Sequence, residues 1–248
     1  VASTVLTVSL DFFVTPLPPW AGPGDKRLSD DHYRVWPETD VRRFLEERCR
    51  ISSERPVRGR VVDEHDGPFH VWRDLVRRGE LETPFDLVQV DAHTNLGSHD
   101  TGWVYVLGTL MHLPVARRCE ALNLKRITPE NYLLFAAACG WLRSITLVTH
   151  PQWEPDVLDI LFKDRDPATA ELELRAYDRN QLHMAFEMEG MELPPPLHAD
   201  PEVPVWTVDW REYTEERPFD HMIVTRAMSH TPSEADGLRR LPEQYVRD

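Results

Sequence analysis

Short β-branched runs recur along this chain between segments of helical spacing, and that alternation restricts the fold more than any other feature. Residues 4–13 read as a strand ending in Ser9-Leu10-Asp11-Phe12-Phe13, residues 58–64 as a second strand, and 85–90, introduced by Pro84, as a buried third. Further strands are expected over 144–149, 172–176, 203–208 and 222–225, with residues 193–196 opening a proline-rich linker. Residues 38–50 place Val41, Phe44 and Leu45 on one helical face, and 69–76 form a helix that Gly79 ends. Apolar helices are predicted over 131–143, 154–162 and 233–241. Strands alternating with helices build a mostly parallel sheet covered on both faces. The expected fold class is therefore α/β, one three-layer domain over residues 1–248. Such sheets collect functional side chains at the carboxyl ends of their strands.

Metal-ligating residue types fall at those ends. Asp11 closes the first strand, His65 the second, and Asp91 with His93 the third. If the third strand runs on through Asp91-Ala92-His93-Thr94-Asn95, alternation points Asp91, His93 and Asn95 to one face. A carboxylate and an imidazole on that face begin a site for a divalent ion such as manganese or zinc. A strand-end cluster that merely caps the next segment is the competing explanation. Delivery of ligands from three separate strand ends favours the metal site. Asp63 alternates with His65 and is placed to orient its imidazole, whereas Glu64 points to the other face.

Composition limits the partners. No run approaches the roughly 18 uninterrupted apolar residues of a membrane span. The beginning of the chain lacks the basic region and long apolar stretch of a signal peptide. Cys49, Cys119 and Cys139 are too few and too scattered for a disulfide framework, and read as reduced thiols of a cytoplasmic protein. A net charge of −14 argues against nucleic acid as a partner. It suits a cationic substrate, or serves solubility alone. The proline- and glycine-rich loop over residues 15–24 is long enough to wall a substrate site.

Asp91-Ala92-His93-Thr94-Asn95 resembles the Asp-Ala-His-Thr-Asp motif of the arginase and ureohydrolase superfamily, which binds a manganese pair. Asp63-Glu64-His65 resembles the earlier histidine segment of that superfamily, and Ser9-Leu10-Asp11 its Asp-x-Asp motif, here moved to the beginning of the chain. Leu-Asp-Phe-Phe at 10–13, Glu64-His65-Asp66, Trp103-Val104-Tyr105 and Thr231-Pro232-Ser233-Glu234-Ala235-Asp236 are similar to a smaller arginase-like family that includes the peptide arginases. Those enzymes convert arginine to ornithine within ribosomally made peptides.

The resemblance implies an arginase-like fold and a manganese-dependent hydrolase. Its substrate would be peptidyl-arginine in an arginine-containing precursor peptide, its products peptidyl-ornithine and urea. The implied metal ligands are Ser9, Asp11, His65, Asp91, His93 and Asn95, holding Mn2+, two ions in the family pattern. Ser9 and Asn95 stand where the family has carboxylates, so the set suits one ion well or two weakly, and Asp100 or His99 are possible substitutes. The family's base is a carboxylate at the position of Asn95, so another group, His112 or a site aspartate, takes that work. His112 is the implied proton shuttle to the departing amine, its other reading being a loop histidine bonded to backbone. Asp209 either faces the guanidinium or caps a turn, and His150-Pro151 reads as a turn. A loss of the metal pair would leave a non-catalytic peptide-binding protein, and another amidino compound is a further substrate class.

Overall fold

The computed structural model describes residues 2–20, 27–97, 100–188 and 192–247. Its strands are β1 (Thr4–Ser9), β2 (Val14–Thr15), β3 (Arg34–Val35), β4 (Val57–Val62), β5 (Phe85–Asp91), β6 (Leu142–Thr149), β7 (Glu171–Leu172), β8 (Arg175–Ala176), β9 (His198–Ala199), β10 (Val203–Asp209), β11 (His221–Thr225) and β12 (Val246–Arg247). The α-helices are α1 (Glu38–Arg43), α2 (Gly67–Arg77), α3 (Gly102–Gly108), α4 (Val115–Ala121), α5 (Tyr132–Ala138) and α6 (Arg179–Glu187).

Eight strands form one sheet in the order β12-β4-β11-β1-β5-β6-β10-β7. Every pairing in it is parallel except the edge pair β10–β7. The expected α/β class with a mostly parallel sheet is thus present, and its layering is compatible with three layers. Central strands buried on both faces are mostly apolar or β-branched, and β1 and β5 are, with Gln89 and the aspartates of β5 as buried exceptions. On one face, Val5, Leu87 and Ile223 pack against Phe69 and Trp72 of α2, Val106 of α3 and Phe135 of α5. On the other, Leu6, Val8, Val90 and Val224 meet Val41, Phe44 and Leu45, with Leu238, Leu241 and Tyr245 from the end of the chain. Gly59 of β4 lies in register with Met222 of β11, and a Cβ there would collide with the Met222 carbonyl oxygen.

Several expected elements take a different form. The first strand stops at Ser9, and Leu10–Phe13 turns as a 3-10 helix, so Asp11 lies just beyond the strand. Residues 38–50 divide into α1 and a π-helical turn over Phe44–Arg48. The helix expected over 131–143 ends early, because Gly140 adopts φ +70° and Leu142 opens β6. Residues 154–162 form no α-helix, only a 3-10 turn over Asp159–Leu161; Pro155 supplies no N–H and disfavours helical geometry at Glu154. Residues 172–176 split between β7 and β8, which belong to different sheets. The final helix is replaced by 3-10 turns over Ser233–Leu238 and Pro242–Gln244, followed by β12. Cys49 and Cys139 are buried free thiols, and Cys119 is half-buried. Among the described residues, no helix is long and apolar enough to cross a membrane.

Candidate metal centre

Parallel pairing sets the ends of β4, β11, β1 and β5 side by side at the carboxyl edge of the sheet. Asp11 comes from the 3-10 turn after β1, His65 from the turn between β4 and α2, and Asp91 from the last position of β5. His65 Nδ1 stands 3.6 Å from Asp11 Oδ2, and His65 Nε2 stands 3.3 Å from Asp91 Oδ2. One ligand atom from each of the three lies within 4.8 Å of the others, and all three residues are buried. Together they could hold a metal ion.

The donor chemistry fits a cation. Both carboxylate oxygens of Asp11 and Nδ1 of His65 are buried without a hydrogen-bond partner among the described residues. Orphaned acceptors of this kind are costly to bury, and a divalent ion satisfies them. Burial pulls the His65 pKa down, but the Asp91 and Asp11 carboxylates outweigh it and push the imidazole up to about 9. A proton therefore occupies the place of the ion in its absence, and ion binding must displace it.

Beneath the group lies a polar layer that the sequence reading did not include. Gln89 precedes Asp91 by two positions on β5 and shares its face. Its Nε2 donates to Asp91 Oδ2 (3.0 Å), Asn95 Oδ1 (2.9 Å) and the Tyr132 hydroxyl (2.6 Å), sharing two hydrogens among three acceptors. Burial, with Asp91 adding to it, raises the Tyr132 phenol well above its ordinary pKa, so it stays neutral. The alternation of residues 89 and 91 was the available signal for Gln89.

Strand alternation beyond Asp91 fails, because β5 ends there and Asn95 turns into the left-handed region at φ +57°. Asn95 nevertheless returns to the group. Its Oδ1 accepts from Gln89, its Nδ2 donates to the Pro129 carbonyl (2.9 Å), and Nδ2 stands 3.1 Å from His65 Nε2. The amide is therefore engaged in orienting ligands, rather than presenting an open oxygen. Ser9 ends β1, fully buried, with Oγ lacking a hydrogen-bond partner among the described residues.

His93 turns away from the group. Its backbone N–H donates to Asp91 Oδ1 (3.0 Å), but its ring stacks on Trp20 with centroids 4.0 Å apart. His93 Nε2 lies 2.9 Å from the Pro18 carbonyl, and Nδ1 lies 3.8 Å from Asp156 Oδ2. Although burial raises the Asp156 pKa, His93 and the Thr94 N–H hold the carboxyl below its usual range. The expected convergence of His93 with Asp11, His65 and Asp91 is thus corrected: the end of the strand releases the ring towards residues 18–20.

His112 is also set apart. Helix α3 carries the chain away after Asn95, and His112 sits exposed on a 3-10 turn, with Nε2 2.8 Å from the Tyr177 carbonyl and its ring beside His198. Asp100 does not join the metal group either; it caps Gly102 and accepts from Thr128 and Asn131. His99 lies outside the described residues. Asp63 pairs with Arg226 at the surface instead of orienting His65. Asp209 caps a turn through the Arg211 N–H, and His150 holds its own turn through the Gln152 N–H and the Val14 carbonyl.

His230 packs its ring 4.6 Å from that of His65. Burial first, and then the His65 charge, drive its pKa down to about 3.

A cleft of about 550 Å³ opens beside His93. Its walls include Pro18, Trp20, Trp153, Glu154 and Asp156, and among the described residues no lysine or arginine lines it. The proline-rich loop supplies this wall as far as Trp20; residues 21–24 lie outside the described residues. A larger hollow between Trp36 and Trp210 is lined by Arg43, Arg48 and Arg211, away from the metal group.

No family model, no curated protein and no solved structure matches this chain.

Proposed function

We propose that the protein is a metal-dependent hydrolase of a guanidino C–N bond, converting arginine in a precursor peptide to ornithine with release of urea. The observation that carries this reading is the buried Asp11–His65–Asp91 group with its orphaned oxygens. Its support from sequence is the resemblance of Asp91-Ala92-His93 and the Leu10–Phe13 segment to the arginase-like enzymes. Manganese is the ion we assign, held by Asp11, His65 and Asp91; when bound, it supplies Lewis acidity and makes water a nucleophile near neutral pH. A single ion suits this arrangement, because His93 engages Pro18 and Asp156 and Asn95 engages Gln89 and Pro129.

The other residues bind and orient. Gln89 and Asn95 fix the directions of Asp91 and His65. The cleft next to His93 offers a guanidinium two aromatic faces, Trp20 and Trp153, and two carboxylates, Glu154 and Asp156. Water oxygen adds to the guanidinium carbon, the bond from that carbon to the side-chain nitrogen breaks, and the two protons of the water pass to the departing nitrogen, leaving urea and an ammonium side chain.

A second reading is a peptide-binding protein of the same fold without turnover. It is favoured by Ser9 and Asn95 in place of family carboxylates and by the withdrawn His93. Purified protein loaded with manganese and incubated with arginine-containing peptides separates the two. Urea release with a matching mass loss in the peptide supports the hydrolase; peptide binding without urea, at full metal content, supports the binding protein.

A further inference from the structure

We infer that His230 is a fourth side chain of the metal centre, giving the ion an Asp11, His65, Asp91 and His230 donor set. The inference rests on the metal-binding reading above and extends it to a residue carried by another strand.

Topology brings His230 to the place. Thr225, the last residue of β11, is in register with both Ser9 of β1 and Val62 of β4. Its strand therefore ends level with the two that deliver Asp11 and His65, and between them in the sheet. Beyond Thr225 the chain reverses sharply. Ala227 adopts the left-handed region at φ +46°, which a non-glycine residue rarely does. The 3-10 turn Met228–His230 follows, closed by the His230 N–H on the Ala227 carbonyl at 2.8 Å. Arg27 anchors the far side of the turn, donating to the Thr231 and Pro232 carbonyls. The outcome is a fully buried imidazole whose ring centre lies 4.6 Å from that of His65.

The chemistry matches a ligand. Metal-bound histidines as a rule engage their second ring nitrogen with a fixed polar partner, which sets the tautomer and aims the other nitrogen. Ser229 Oγ stands 3.0 Å from His230 Nδ1 and supplies that partner, so Nε2 is the nitrogen we assign to the ion. Two carboxylates balance one dication, and two neutral imidazoles complete four protein donors without adding charge. The sequence offered His93 for this role, but its ring is held by Pro18, Trp20 and Asp156. The ligand atoms of Asp11, His65 and Asp91 lie within 4.8 Å of one another without His230, so loading requires its ring to move towards them.

Cobalt substitution provides the test. In protein loaded with one equivalent of Co2+, each ligating histidine gives one strongly shifted, deuterium-exchangeable imidazole N–H proton resonance. Two such resonances are expected in the wild type. His230→Asn should remove one and weaken cobalt binding by more than the roughly 10–100-fold that loss of an outer-shell partner causes, whereas His93→Asn should keep both. A wild-type spectrum with a single resonance, unchanged by His230→Asn, would overturn the assignment while leaving the metal centre in place. Two resonances of which His93→Asn removes one would overturn it in favour of His93. Failure of the folded wild type to take up cobalt at all would overturn both the assignment and the metal-binding reading. Because the wild-type spectrum decides the number of histidines, the test survives a poorly folding variant.

Discussion

Asn95→Asp introduces a carboxylate where the arginase motif that this segment resembles has one, yet the structure argues that it destabilises the metal-free protein. Asn95 Nδ2 donates to the half-buried Pro129 carbonyl, and an ionised carboxylate cannot. Leaving that acceptor without its donor costs about 1–3 kcal/mol. The new charge also faces Asp91. Asp91 Oδ2 and Asn95 Oδ1 share Gln89 Nε2, so they lie within about 6 Å of one another, where like charges repel by about 3 kcal/mol at an effective dielectric near 20. Protonating the new carboxyl instead costs about 4 kcal/mol at pH 7, which caps this part of the penalty. The sum is roughly 4–6 kcal/mol, a large share of the 5–15 kcal/mol typical of a folded domain. Urea denaturation monitored by circular dichroism in the presence of chelator should show the midpoint lowered by on the order of 1 M. Manganese should narrow the gap, because the ion attracts the added carboxylate. A variant at least as stable as wild type in chelator would refute the idea that this position is built for an amide.

Three further outcomes are expected. Asp91→Ala should abolish manganese retention through gel filtration, read by elemental analysis; unchanged metal content would remove Asp91 from the centre. The Arg143 guanidinium, against the opposing effect of burial and aided by Ser144 and Arg217, holds Asp86 well below the usual carboxylate range. With the folded pKa depressed, its contribution is present above about pH 4 and fades as pH falls below that. The urea midpoint of wild type should therefore drop more steeply between about pH 5 and pH 3 than that of Asp86→Asn, and parallel slopes would contradict the linkage. Gly59→Ala forces a methyl group onto the Met222 carbonyl between β4 and β11. It should cost about 3 kcal/mol or more, and an unshifted thermal midpoint would speak against that close approach.

Local pattern carried much of the architecture. Pro84 followed by a largely apolar run located β5, and β-branched runs located β1, β6 and β11, because a strand buried on both faces is mostly apolar. Asp11, His65 and Asp91 were legible for the same reason: the sheet's carboxyl edge is fixed once strand ends are known. Helical periodicity was less informative after residue 150. There Pro151, Pro155 and Pro167 permit apolar spacing without a sustained helix, and the chain takes 3-10 turns instead.

The sequence by itself determined that this chain forms a parallel α/β sheet and that two aspartates and a histidine stand at its edge. Only the tertiary structure decided which neighbours complete that group. Alternation is a local rule and lapses where a strand ends, so His93 swings to Trp20 while Asn95, in a left-handed turn, comes back to His65. His230 lies far along the chain from every other member and reaches them through parallel pairing of β11 with β1 and β4. Contacts made by long-range pairing leave no periodic trace in sequence, and the outer part of this centre is built from them.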